Sequence, residues 1–119
     1  MSMDSTFDEL EFFAKMKTKK YAALHLGKSS LMSFRDHYFG MEDAFSFYTK
    51  ESPFVYFHAF QTWYLEEVIR DLNGYACWWN HILYISGNDD VYAYEQFFDL
   101  FERYLLTVHH ITLPEFSDS

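Results

Sequence analysis

Residues 73–90 read NGYACWWNHILYISGNDD, and the fold turns on how this stretch is read. Tyr75, Trp78, Trp79 and Tyr84 lie between two turn signals, Asn73-Gly74 and Gly87-Asn88-Asp89-Asp90. As a strand it would carry a tryptophan on each face, which suits neither side of a half-buried sheet. As a helix it gathers Tyr75, Trp78, Trp79, Ile82 and Ile85 on one side. The helical reading makes it a short central helix that reverses the chain between two longer amphipathic helices.

Downstream, Asp89 or Asp90 suits the cap of a last helix running to about His109. Its core face is Val91, Tyr94, Phe97, Phe98, Phe101, Tyr104, Leu105 and Val108. Its outer face carries Tyr92, Glu95, Asp99, Glu102 and Leu106, at steps of three and four. Pro114 and the closing Ser-Asp-Ser predict a short loose tail over 112–119.

Upstream, Ser52-Pro53 predicts a helix start, with serine as cap and proline in the first turn. That helix is expected to run to Asn73, with Gly74 as a left-handed stop. Phe54, Phe57, Tyr64, Leu65, Val68, Ile69 and Leu72 share one face, interrupted by Gln61. Tyr56, Trp63, Glu66, Glu67 and Arg70 share the other. Before it, Ser29-Ser30 offers the cap of a helix whose seam is Leu31, Phe34, Tyr38, Met41, Phe45 and Tyr48. The seam runs through Gly40, which costs roughly 1 kcal/mol against alanine and leaves room for a bend or close packing. A first helix starts at Asp4–Thr6, where Ser5 with Asp8 or Thr6 with Glu9 has capping-box spacing. It buries Phe7, Leu10, Phe13 and Ala14. Phe12 and Met16 fall outside that face, so the helix is covered on more than one side or exposed there. The lysines of KMKTKK suit its C-terminal end. Tyr21–Leu26 fits either a continued helix or a strand, and Gly27 ends it.

With no internal repeat and no linker, these segments predict one domain over residues 1–119, an all-α bundle of four to five helices with short loops. The 119 residues suffice for a core without disulfide or metal, and 23% of them are aromatic, too many for such a chain to hide. The net charge of −9 is uneven: residues 1–28 balance at +1 and residues 29–119 at −10. An acidic body lacks the clustered Lys and Arg that phosphate contact needs, which argues against direct nucleic-acid binding and against an anionic membrane surface. It suits a basic protein partner. MSMDSTFDEL has no apolar signal region, and no run approaches a membrane span. With one cysteine, Cys77, the expectation is a reduced, cytoplasmic protein.

Catalytic and metal patterns do not emerge. No Glu-x-x-His occurs, no histidines are spaced i, i+4, and one cysteine cannot build a thiolate zinc site, so neither metal nor cofactor is expected. Cys77 and His81 are one turn apart, but a buried thiol beside a hydrogen-bonded histidine is the commoner meaning. There is no GxSxG and no phosphate-cradling glycine loop. The carboxylates of Glu66-Glu67 and Glu95/Asp99 fall on exposed faces rather than in a desolvated pocket. Trp78 and Trp79 would suit a small-molecule pocket, although aromatics at helical spacing are more often plain core.

The surface is more informative. Tyr56, Trp63, Glu66 and Glu67 make one ring-and-carboxylate face, and Tyr92, Glu95, Asp99 and Glu102 another. Aromatic rings anchor interfaces, and charges around them set on-rate and specificity. These eight are the candidate partner-binding residues. In a bundle, Trp63 packing on another helix of the same chain is the competing explanation.

WYLEEVIRDLNGYACWWNHILYISGNDD and YEQFFDLFERYL, in a small acidic chain of this aromatic content, resemble bacterial immunity proteins of contact-dependent growth inhibition and other polymorphic toxin systems. The resemblance covers about the second half of the chain. Those proteins are diverse in fold, so no functional residue carries over by position. It implies a non-enzymatic inhibitor that binds one cognate toxin domain tightly, often a nuclease, by covering its basic groove. Two other expectations stand beside it: an acidic anti-defence protein that mimics nucleic acid, and a small ligand-binding helical bundle. Exposed aromatics also suit a homodimer.

Overall fold

A computed structural model describes residues 8–18, 22, 30–49, 52–70 and 78–115. The described residues are all-α. Five helices follow in order: α1 (Glu9–Lys17), α2 (Leu31–Thr49), α3 (Val55–Trp63, continued by a wider π turn over Tyr64–Ile69), α4 (Trp78–Ile85) and α5 (Asp90–Tyr104, continued by a π turn over Leu105–His109). Asp4–Thr6, Gly27, Leu72–Tyr75 and Cys77 lie outside the described residues, as does Tyr21–Leu26 apart from the buried Ala22.

α5 is the axis of the core. Ala93, Tyr94, Phe97, Phe98, Leu100, Phe101 and Tyr104 are buried along it. Phe13 of α1, Phe34 of α2, Phe57 and Phe60 of α3 and Trp78 of α4 close around them, all but Trp78 fully buried. The rings meet mostly edge to face: Phe57 lies 5.1 Å from Phe13, 4.6 Å from Tyr38 and 5.4 Å from Trp78. Such pairs contribute about 0.5–1.5 kcal/mol each beyond the area they bury. Met16 is fully buried and Phe12 packs on the core from the other side, so α1 is covered on more than one face, in keeping with its sequence.

The helix starts are held by carboxylates. α1 begins at Glu9, later than its capping-box spacing suggests, with Asp8 accepting from the Glu11 N–H. α5 is capped as expected by Asp89, which accepts from Val91 and Tyr92. Two further caps come from other helices. The expected Ser52 cap of α3 is replaced: Ser52 accepts from Phe54 instead, and Phe54 precedes the helix with no side-chain cap. Glu9, 7% exposed on α1, takes the orphan donors of α3: Oε1 accepts from the Tyr56 N–H at 2.9 Å and Oε2 from the Phe57 N–H at 2.7 Å. Asp90 does the same for α2, accepting from the Met32 N–H and from the Ser30 hydroxyl, while Ser30 accepts from Ser33 as its position predicts.

Several core expectations are corrected. The α2 seam outruns the core: Leu31 and Phe34 are buried, Met41 and Phe45 partly so, and Tyr48 is 81% exposed. Ile85 and Val91 border the α4–α5 turn and are exposed. Val108 is exposed because the π turn widens the spiral and breaks a face drawn at a constant angle. α3 ends at Arg70, before Asn73, with Arg70 itself left-handed (φ 58°) and its N–H bonded to Leu65. The tail is not loose at its start. A left-handed His110 turns the chain back, and Leu113 is buried.

Gly40 lies inside α2, and a Cβ there would meet nothing within 4 Å. Close packing therefore gives no reason for the glycine, and Gly40→Ala is expected to stabilise the fold by about 0.5–1 kcal/mol in urea unfolding. Glu9→Ala strands the buried Phe57 N–H and the partly buried Tyr56 N–H and is expected to cost about 2–4 kcal/mol. Burial raises the Glu9 pKa above its ordinary 4.5 despite the backbone bonds from Tyr56 and Phe57. The native state thus binds this proton more readily than the unfolded chain. The Glu9 contribution is complete below 4.5 and declines as pH rises through the raised value. The penalty of Glu9→Ala should accordingly be larger at pH 4 than at pH 7.

Candidate functional site

α5 buries one side and leaves the other in water. On the outer side Tyr92 is 48% exposed and Glu95 and Asp99 are exposed, while Glu102 is half-buried. Glu102 is ion-paired with Lys17 of α1 at 2.8 Å. Among the described residues Glu95 and Asp99 have no ion-pair partner. Their backbone cannot move freely, because Tyr94, Phe97, Phe98 and Phe101 on the same helix are buried. Four of the eight candidates thus form one fixed outer stripe.

The other four are divided. Glu66 and Glu67 are exposed on the π turn of α3. Tyr56 and Trp63 are half-buried and engaged with the end of α5: the Tyr56 ring meets His109 edge-on at 5.0 Å, and Trp63 lies 5.3 Å from Tyr104. Tyr104 in turn shares a 2.7 Å hydrogen bond with His109. The rings of this face are shared with the bundle, which leaves its two carboxylates as the outward groups.

A second constellation was not legible in the sequence. Helix α2 carries Tyr38 and Glu42 one turn apart, and the start of α3 brings Ser52, His58 and Gln61 against them. The Tyr38 hydroxyl donates to Glu42 Oε2 at 2.7 Å, and His58 Nε2 meets the same oxygen. Gln61 donates to the Tyr38 oxygen at 3.3 Å and accepts from the Trp78 indole N–H at 3.1 Å. A polar chain therefore runs from the buried Trp78 to the exposed His58. It also explains Gln61 on an apolar face: the amide satisfies the one polar atom of Trp78. The sequence signals were the i, i+4 pair Tyr38/Glu42 and the polar Gln61 on an apolar face.

Ser52, His58 and Glu42 are the residue types of a hydrolytic triad, but their geometry is different. A triad needs the carboxylate on one ring nitrogen and the serine on the other. Here Glu42 and Ser52, the latter at 3.5 Å, both face Nε2, and Ser52 is occupied by the Phe54 N–H. His81 of the opening stretch is likewise engaged, with Nδ1 2.7 Å from the Tyr64 hydroxyl. Burial pushes that hydroxyl up to about 12. Trp78 is buried against Phe57, Phe60 and Phe97, and Trp79 packs edge-on to Phe39 with the Arg35 guanidinium 5.7 Å above its ring. Both indoles are accounted for by packing. Among the described residues no group of three or more His, Cys, Asp or Glu could hold a metal ion, and no helix is long and apolar enough to cross a membrane.

No protein-family model, curated protein or solved structure matches the chain. The functional reading therefore rests on the chain's own residues.

Burial would raise the Glu42 pKa, but hydrogen bonds from Ser52, His58 and Tyr38 outweigh it and hold the carboxyl below its ordinary 4.5. The sign is opposite to that of Glu9. The Glu42 contribution is present above 4.5 and is lost as pH falls through the lowered value. Glu42→Gln should therefore destabilise the protein at pH 7, and the gap to wild type should close on acidification below 4.5. A gap that widens in acid would show that Glu42 is not held as a carboxylate.

Proposed function

We propose that this chain is a non-enzymatic binding protein that neutralises a basic bacterial toxin domain, as immunity proteins do, by laying the outer stripe of α5 over the toxin's cationic groove. The observation that supports this is the contrast across α5. Its inner side is fixed in an aromatic core, while Tyr92, Glu95 and Asp99 stand outward on that rigid backbone. A rigid helix face loses little conformational freedom on binding, and a ring flanked by carboxylates suits a partner rich in Lys and Arg. The uneven charge, −10 over residues 29–119, would draw such a partner in from a distance. A nuclease is the natural target, because its groove is built to take phosphate.

Nucleic-acid mimicry is the less favoured reading. From Glu95 to Glu102 the stripe spans only about 10 Å of helix axis, and its last carboxylate is paired with Lys17. That is a short patch suited to a local protein contact rather than a track of phosphates.

Co-expression with a toxin domain, where one is encoded beside the gene, tests the proposal. The wild-type chain should restore growth. The double substitution Glu95→Lys and Asp99→Lys should abolish rescue and weaken binding at least about tenfold, with the melting temperature within a few degrees of wild type. Rescue by the double variant equal to wild type would refute the role of the stripe, and absence of rescue by the wild-type chain would refute toxin neutralisation.

A further inference from the structure

The stripe on α5 is partly occupied by the chain itself. Lys17 reaches from the last turn of α1, and its Nζ lies 2.8 Å from Glu102 Oε2. The backbone from which it reaches is anchored: Met16 is fully buried, and its carbonyl accepts from the buried Tyr94 hydroxyl of α5 at 2.5 Å. Lys17 is therefore held at this end of the stripe by the core beneath it. Its ammonium is not held tightly. The two side chains are 50% and 30% exposed, and an ion pair so open to water gives no more than about a fivefold preference.

We propose that Lys17 is a built-in competitor for the acidic stripe, and that a basic partner's own Lys or Arg replaces it at Glu102 on binding. This rests on the reading of α5 as the partner surface and adds its regulation. Glu102 lies one turn from Asp99 on the same face, so a partner that engages Glu95 and Asp99 meets Glu102 next. Displacing Lys17 costs the partner the pair's modest strength, while Lys17 lowers the attraction of the bare stripe for weaker cationic surfaces. The effect is a small, constant penalty that a partner with a well-placed guanidinium overcomes, because its bidentate fork bonds carboxylate better than an ammonium does. The neighbouring Lys15 offers an internal comparison. It pairs with Glu11 of its own helix at 2.9 Å, a carboxylate outside the stripe.

The test is fluorescence anisotropy of a labelled oligolysine peptide at low ionic strength, with folding checked by circular dichroism. Lys17→Gln should bind about three- to fivefold tighter than wild type. Lys15→Gln makes the same change in net charge and should shift binding less than twofold. Adding Glu102→Gln to Lys17→Gln should remove the gain. Equal gains from the two lysine variants would assign the effect to net charge and overturn the competitor role, as would no gain from Lys17→Gln. The two readings separate through Glu95→Lys with Asp99→Lys. If that variant binds oligolysine as well as wild type, or if wild type does not bind at all, the stripe itself is not a cation-docking surface.

Discussion

Glu9 is the constraint on which the arrangement depends. A carboxylate this buried would be costly if unpaired, and its two oxygens instead take the Tyr56 and Phe57 N–H groups. This single contact fixes where α3 begins, where α1 docks and how Phe13 meets Phe57 at the centre of the aromatic core. Asp90 repeats the device between α5 and α2. The starts of α2 and α3 are tied across the bundle in this way, so these two caps specify tertiary structure as well as helix ends, while α1 and α5 keep local caps in Asp8 and Asp89. The same contacts place carboxylates where a helix dipole is positive.

Two sets of carboxylates stand apart among the described residues of this acidic chain. Glu9, Glu42 and Asp90 face inward or between helices and accept hydrogen bonds from elements distant in sequence. Glu95, Asp99, Glu66 and Glu67 face water. The first set accounts for part of the negative charge by fold alone, and the second set, with the Lys17-paired Glu102, remains for recognition. The two signs of pKa displacement follow from the same distinction. At Glu9 burial dominates, whereas at Glu42 three side-chain donors outweigh it.

The helices were legible in the sequence because their apolar spacing is strong: Phe97, Phe98, Phe101 and Tyr104 lie on the core face that their periodicity predicts. The outer stripe of α5 was legible for the same reason, since a face opposite a continuous core must meet water. What spacing could not give were contacts between distant segments. Ser52 has the local chemistry of a cap, and nothing near it reveals that Glu9, more than forty residues earlier, takes the donors. Trp63 lies on the charged side of α3, yet Tyr104 crosses there and shares its ring. The π turns were also hidden. Val108 lies within the one that ends α5 and is off the core face, and the one that ends α3 closes on the left-handed Arg70. The chain from Trp78 to His58 joins α2, α3 and α4, and no single stretch of sequence contains it.

Carboxylates from neighbouring helices hold the starts of α2 and α3. Native-state hydrogen exchange at the Tyr56 and Phe57 amides tests it most directly. First-turn amides have no partner within their own helix and ordinarily exchange fast. Bonded to a buried Glu9, these two should exchange only through large-scale unfolding, as slowly as the core amides of α5. Rapid exchange at both positions, like that of an uncapped helix start, would contradict the account.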